Sequence, residues 1–310
     1  MDIHPASSFA SDLHPIGGRR GPDHPLGCPA EPSGAWLAGP VDRRRLLLGS
    51  LATAAAAGLA SCGLGGSDDA PRTKGGRGVE TIRYGKDESQ LLELTRPEGR
   101  SRGVVVVIHG GFWSSQYDLS LGRPLAASLA KEGWTAANLE YRRVGNGGGW
   151  PTTFDDVRNG IDALADVEGL DLSTLITLGH SAGGHLGVWV AGKTKKVKIT
   201  AAVSQAGVLD LQTAAQDALG GGAVLSLLGD APIKPADPST FVPLDVPVHC
   251  VHGTDDQLVP LSQSTAYVDK ATSAGATAVL HEVPGDHFVL IDPSTPAWSE
   301  TLKVLGGLER

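Results

Sequence analysis

From Val79 onward the chain alternates short apolar blocks whose spacing switches between two and about 3.6 residues. Two short alternating stretches, near Val79 to Tyr84 and Gln90 to Leu94, predict a hairpin-like pair of strands. Gly103-Val-Val-Val-Val-Ile108 is an unbroken β-branched run, as expected of a central strand covered on both faces. Leu121 to Glu132 predicts a helix ended by Gly133, and Thr135 to Arg142 a strand. Phe154, Val157, Ile161 and Leu164 share one helical face, so a helix is expected over 153–167, with Thr153 and Asp156 as a capping box. Further strands are expected at 173–178, 200–205, 246–251 and 278–282, with helices at 183–191, 262–274 and 297–305.

Such alternation builds a mainly parallel sheet with helices on both faces. Residues 79–310 are therefore expected to form one domain. The segment 208–245, between the sixth and seventh strands, is longer than a simple connection. Its apolar part, residues 223–228, is expected to pack as a small cap over a pocket. In sheets of this kind the ligand sits at the carboxyl ends of the strands, which makes the residues after each strand the informative ones.

Four strand ends carry chemistry. They are His109-Gly110-Gly111-Phe112-Trp113, Gly179-His180-Ser181-Ala182-Gly183-Gly184, His252-Gly253-Thr254-Asp255-Asp256 and Gly285-Asp286-His287-Phe288. Gly179-x-Ser181-x-Gly183 is a nucleophile-elbow pattern, in which small residues two places either side of the serine allow a tight strand-to-helix turn. The motif alone is weak; the strand before it and the helix after it give it weight. A serine hydroxyl becomes a useful nucleophile only beside a base, and the base needs an orienting acid. His287, in a glycine-containing loop beyond the last strand, is the candidate base, and Asp255 or Asp256 the acid. Asp286 adjoins His287 but is badly placed to reach its own neighbour's ring. Backbone N–H groups of Gly111, Phe112 and Ala182 are the candidate donors to a developing oxyanion. His109 is expected to brace its loop.

Composition narrows the classes. Hydrophobic content of 41% and charged content of 19% suit a globular chain with a sizeable core. A net charge of −8 without a basic stripe argues against nucleic acid as a partner. Three cysteines, Cys28, Cys62 and Cys250, make neither a disulfide framework nor a metal-site spacing. His180 and His185 are five apart, unlike the four that align two ligands on a helix; His249 and His252 flank Cys250 without further ligands. The glycines of 145–149 mimic a dinucleotide loop, but Trp150 and Pro151 break the pattern. No metal or organic cofactor is expected.

The first 61 residues read as an address. Residues 1–40 lack an apolar period; Arg43-Arg44-Arg45 then precede an Ala-rich apolar run of about 15 residues ending Leu59-Ala60-Ser61-Cys62. Paired arginines resemble a twin-arginine export signal, and Leu-Ala-Ser-Cys resembles a lipobox, in which Cys62 is lipidated after cleavage. The protein is expected to be exported and lipid-anchored on the outer face of the bacterial cytoplasmic membrane, with residues 62–78 as a glycine-rich linker. A plain secreted protein is the alternative. Met1 is the sole methionine, and translation is expected to start at Val41.

With these residues in place, 79–310 resembles the α/β-hydrolase superfamily, in the branch of small esterases, kynurenine formamidases and prolyl-oligopeptidase-type catalytic domains. Tyr84-Gly85 with Gln90, Leu94 and Pro97 is similar to the opening of those esterases. His252-Gly253-x-x-Asp256-x-x-Val259-Pro260 resembles their acid-bearing loop, which selects Asp256. The order Ser181, Asp256, His287 is theirs also. Phe112 stands where many have a third glycine, favouring the formamidase or feruloyl-esterase-like side. The resemblance implies hydrolysis of a small-molecule ester through an acyl-enzyme on Ser181. An amide substrate with the same triad is the alternative, and a non-catalytic binding protein of the same fold is the rival from another class.

Overall fold

The computed structural model describes residues 78–309. The chain divides after Asp69, and all described residues belong to the unit Ala70–Arg310. The expected export signal, Cys62, the expected start at Val41 and the expected linker up to residue 77 lie outside the described residues.

Eight strands form one sheet. In chain order they are β1 (Glu80–Arg83), β2 (Leu91–Thr95), β3 (Val104–Ile108), β4 (Thr135–Leu139), β5 (Leu175–His180), β6 (Ala201–Gln205), β7 (Val248–Gly253) and β8 (Ala278–Val283). Their spatial order is β1-β2-β4-β3-β5-β6-β7-β8. β1 and β2 pair antiparallel, as do β2 and β4, whereas every pairing from β4 to β8 is parallel. This is the α/β-hydrolase arrangement.

The helices are α1 (Arg123–Lys131), α2 (Thr152–Asp162), α3 (Ala182–Val190), α4 (Leu211–Gln216), α5 (Leu219–Leu228), α6 (Ser262–Ser273) and α7 (Pro296–Gly306). All five residues of β3 are buried, and its side chains alternate between two cores. Val104, Val106 and Ile108 join Phe154 and Ile161 of α2, Leu186 of α3 and Tyr267 of α6. Val105 and Val107 join Leu125 and Leu129 of α1 and Trp298 and Leu305 of α7. Full burial of each such side chain contributes about 1.5–3 kcal/mol relative to exposure. Parallel pairing then leaves the carboxyl ends of β3, β5, β7 and β8 along one edge of the sheet.

Two expected details differ. The expected capping box does not form: Thr153 Oγ1 donates to the Arg142 carbonyl at 2.6 Å, and Asp156 is taken by Arg142 Nε at 2.7 Å and Gln90 Nε2 at 2.7 Å. Its partners come from the β4–α2 connection and the β1–β2 turn, both distant in sequence. The strand expected to reach Arg142 stops at Leu139. There the buried Glu140 turns its carboxylate onto the Tyr141 and Leu119 amides, at 2.8 and 2.9 Å, in place of a further ladder.

Candidate active site

Ser181 sits between β5 and α3 with φ 55° and ψ −120°, a conformation costly for any residue with a Cβ. The turn is as tight as the glycine spacing implies. A Cβ on Gly179 would strike the Gly183 carbonyl, and one on Gly183 would strike the Ile108 carbonyl. The α3 N-terminus adjoins the serine and supplies positive potential.

His287 Nδ1 lies 2.6 Å from Asp256 Oδ2. Asp256 Oδ1 accepts the Leu258 and Val259 amides at 2.8 and 2.9 Å, forming a turn that holds the carboxylate after β7. Burial alone would push this carboxyl up, but hydrogen bonds from His252, His287 and the Val259 amide outweigh it and hold the group well below the usual carboxylate range. Asp255 is exposed. Asp286 accepts from the Phe288 amide at 3.0 Å, within its own loop. The geometry thus brings Asp256 to His287, and neither Asp255 nor Asp286.

His180, the residue before Ser181, links the elbow to His287. Its Nε2 donates to the His287 carbonyl at 2.9 Å, and the two rings are 4.5 Å apart. Burial, then the neighbouring His287, lowers the His180 pKa to about 3, so this ring is neutral and adds no repulsion to a positive charge on His287. Among the described residues no hydrogen bond joins Ser181 Oγ to the His287 ring. Such contacts are commonly long in a free enzyme and tighten with substrate. Ser181, Asp256 and His287 are 4%, 8% and 4% exposed, so all three stand in a nearly dry setting.

The loop 109–113 after β3 runs against this turn. A Cβ on Gly110 would lie 2.8 Å from the His180 carbonyl and 3.0 Å from Ser181 Cβ. In a trans peptide the C=O and the next N–H point in opposite directions, so fixing one aims the other. His109 Nδ1 holds the Gly110 carbonyl at 2.8 Å, which fixes the Gly111 N–H. The Ser114 amide holds the Gly111 carbonyl at 2.9 Å, which fixes the Phe112 N–H. The His185 amide holds the Ser181 carbonyl at 3.1 Å, which fixes the Ala182 N–H. Among the described residues none of these three N–H groups has a hydrogen-bond partner. Phe112 and Trp113 both take left-handed backbone angles, φ 54° and 55°.

Several residues that hold this loop carry no sequence signature. His109 Nε2 faces Glu140 Oε1 at 3.1 Å and Arg143 Nη1 at 3.4 Å, while its ring stacks on Tyr141 at 4.5 Å. Arg143 pairs with Glu140, and both are buried. Burial lowers the His109 pKa to about 4; the neutral ring donates from Nδ1 to Gly110 and offers its Nε2 lone pair to Arg143. Trp113 Nε1 donates to His185 Nδ1 at 3.1 Å, and His185 Nε2 donates to the Ala236 carbonyl at 2.9 Å. Position at the end of β4 was the only available hint for Glu140 and Arg143. The segment between β6 and β7 reaches the loop as well, since a Cβ on Gly220 would strike the Phe112 ring; it also meets the β4–α2 connection, where the Trp150 amide donates to the Leu227 carbonyl at 2.8 Å.

A strained serine, a histidine clamped by a buried carboxylate, and aligned free amides can together support acyl transfer. A family model described as BD-FAE matches residues 92–271, more than half of the chain. The chain belongs to the BD-FAE family. Two curated relatives from Mycobacterium tuberculosis are similar to it. The probable carboxylic ester hydrolase LipM is 29% identical over 208 residues, covering 58% of this chain and 48% of the relative. Esterase LipQ is 28% identical over 236 residues, covering 66% of this chain and 56% of the relative. The chain spans about half the length of these relatives. Among solved structures, Esterase B from Lactobacillus rhamnosis superimposes with a TM-score of 0.66 at 23% identity, covering 74% of this chain and 85% of that one. Est2 from Thermogutta terrifontis gives 0.63 at 22% identity, covering 74% and 91%. Both likenesses bear on the fold.

Proposed function

We propose that this BD-FAE family member is a serine esterase. Ser181 attacks the carbonyl of a small carboxylic ester, and His287 takes the hydroxyl proton and returns it to the leaving alcohol. Asp256 holds the imidazole, and the amides of Gly111, Phe112 and Ala182 hold the oxyanion. Water, activated by the same histidine, then releases the acid and regenerates Ser181. The observation that carries this reading is the 2.6 Å contact of His287 Nδ1 with the buried Asp256, beside a serine in a strained elbow. The two mycobacterial relatives, one named as a probable carboxylic ester hydrolase and the other as an esterase, support an ester as the substrate class.

Labelling by a fluorophosphonate probe tests the mechanism. Reaction of the wild type and none of Ser181→Ala is expected; an unlabelled wild type, or labelling that survives in Ser181→Ala, would count against it. Phe112, in the third place after His109, favours one second reading, an amide hydrolase of formamidase type. Turnover of p-nitrophenyl acetate exceeding that of N-formylkynurenine and aminoacyl anilides separates the two.

Export and anchoring at Cys62 belong to the same proposal, resting on Arg43-Arg44-Arg45 and Leu59-Ala60-Ser61-Cys62. Incorporation of a labelled fatty acid, lost in Cys62→Ser, is the expected result. A protein released free into the medium would instead fit simple secretion.

A further inference from the structure

His252 and Cys250, which the mechanism above leaves unused, lie on β7 just before the acid-bearing turn, and both are wholly buried. His252 Nε2 faces two acceptors, the Val259 carbonyl at 3.0 Å and Asp256 Oδ2 at 3.3 Å. Nε2 therefore carries the ring proton, and Nδ1 is left as an acceptor. Ser264 Oγ, on α6, lies 2.7 Å from that Nδ1 and donates to it. Ser264 in turn contacts the Cys250 thiol, which burial pushes up to about 12 and so keeps protonated.

Asp256 Oδ2 is consequently shared by two imidazoles, His287 on one side and His252 on the other, while Oδ1 is filled by two amides. We propose that His252 is a positioning residue for the triad, locking the rotation of the Asp256 carboxylate and tempering its hold on the protonated His287. The proposal rests on the esterase reading. Its chemistry is simple: the carboxylate orients His287 only when Oδ2 faces the ring, and a second donor on that oxygen makes it a weaker partner for the imidazolium. Removing the donor strengthens the carboxylate's attraction for the proton on His287 but frees it to rotate. The other titratable groups around this cluster are His180 against the His287 ring, Asp286 turned into its own loop, and Tyr267 on α6 beside Cys250.

The test compares His252→Leu with His252→Gln, whose amide can replace both the donor and the acceptor of the neutral ring. In His252→Leu, kcat on p-nitrophenyl acetate is expected to fall about tenfold, the scale of one charge-assisted hydrogen bond, with KM nearly unchanged. The acid limb of kcat/KM should move up by about half a pH unit, and His252→Gln should restore both. A merely structural role would lower activity without moving the limb. A folded His252→Leu with the wild-type limb and kcat overturns the proposal. Where His252→Leu does not fold, Ser264→Ala decides: removing the donor to Nδ1 loosens the tautomer, so a smaller upward move supports the role and an unmoved limb refutes it. A wild type that does not react with fluorophosphonate would overturn the esterase reading and this inference together. Normal labelling with unmoved limbs sinks the inference alone.

Discussion

The indole of Trp113 hangs on the ring of His185: Nε1 donates to Nδ1 across 3.1 Å, with the two planes nearly perpendicular. Both are completely buried, and His185 belongs to the helix that Ser181 starts. The contact therefore ties the loop bearing two of the proposed oxyanion donors to the element bearing the third. Trp113→Phe keeps most of the apolar volume but leaves His185 Nδ1 without a donor. It is expected to lower stability by about 1–3 kcal/mol in urea unfolding, the cost of one unsatisfied buried group, and to lower kcat by about tenfold or more with little change in KM.

The two adjacent aspartates separate cleanly. Asp256 is buried against His287, while Asp255 is exposed. Asp256→Asn should lower kcat by roughly 10⁴-fold, the scale seen when a triad acid loses its charge. Asp255→Asn should leave kcat within about twofold, since an exposed substitution away from packing features is nearly neutral. Steady-state kinetics on the pair would reject the assignment of the acid if the two effects were reversed.

Three successive glycines, Gly220, Gly221 and Gly222, adopt left-handed angles at the start of α5, but only the first touches the site. A Cβ on Gly220 would meet the Phe112 ring, whereas one on Gly221 would meet nothing within 4 Å. Both alanine variants carry the left-handed penalty of about 1–2 kcal/mol. Only Gly220→Ala should also displace Phe112, and with it a proposed oxyanion donor. Thermal stability is expected to fall in both variants and further in Gly220→Ala, with kcat lost, by about tenfold or more, in Gly220→Ala alone.

His109, His180 and His185 are all held neutral by burial, their pKa values lowered from 6.5 to about 4, 3 and 4. In the unfolded chain each takes up a proton below pH 6.5, while the folded chain does so only near pH 3–4. Between those limits the unfolded state binds more protons, so stability rises with pH and is lost as pH falls. Chemical denaturation at pH 7, 6, 5 and 4.5 should show a progressive loss that steepens below pH 6.5. Replacing His180 with Asn, which cannot titrate, should flatten the slope if the protein still folds; an equal slope would refute the contribution.

The sheet and the four loaded strand ends were legible because continuous burial and local turn chemistry write themselves into adjacent residues. The β-branched run Val104–Ile108 fits a central strand, and Gly179 and Gly183, set between a strand and a helix, fit a turn with no room for a Cβ. What was not legible is pairing across the fold. Asp156 has the spacing of a cap yet binds Arg142 and Gln90, since an arginine brought alongside by topology outcompetes a helix end. Glu140 falls inside the expected strand and Arg143 just past it, yet both serve as the buried brace of His109. His252 read as a residue flanking a buried cysteine, and only the return of the β7–α6 turn brings it to Asp256.

Position 181 stands in strained backbone. Its left-handed φ would suit a residue lacking a side chain, so the hydroxyl is kept at the expense of roughly 1–3 kcal/mol of folding free energy. On the proposed mechanism, a copy of this chain released from any need for turnover would become sturdier by drifting to glycine there, and inert by the same step.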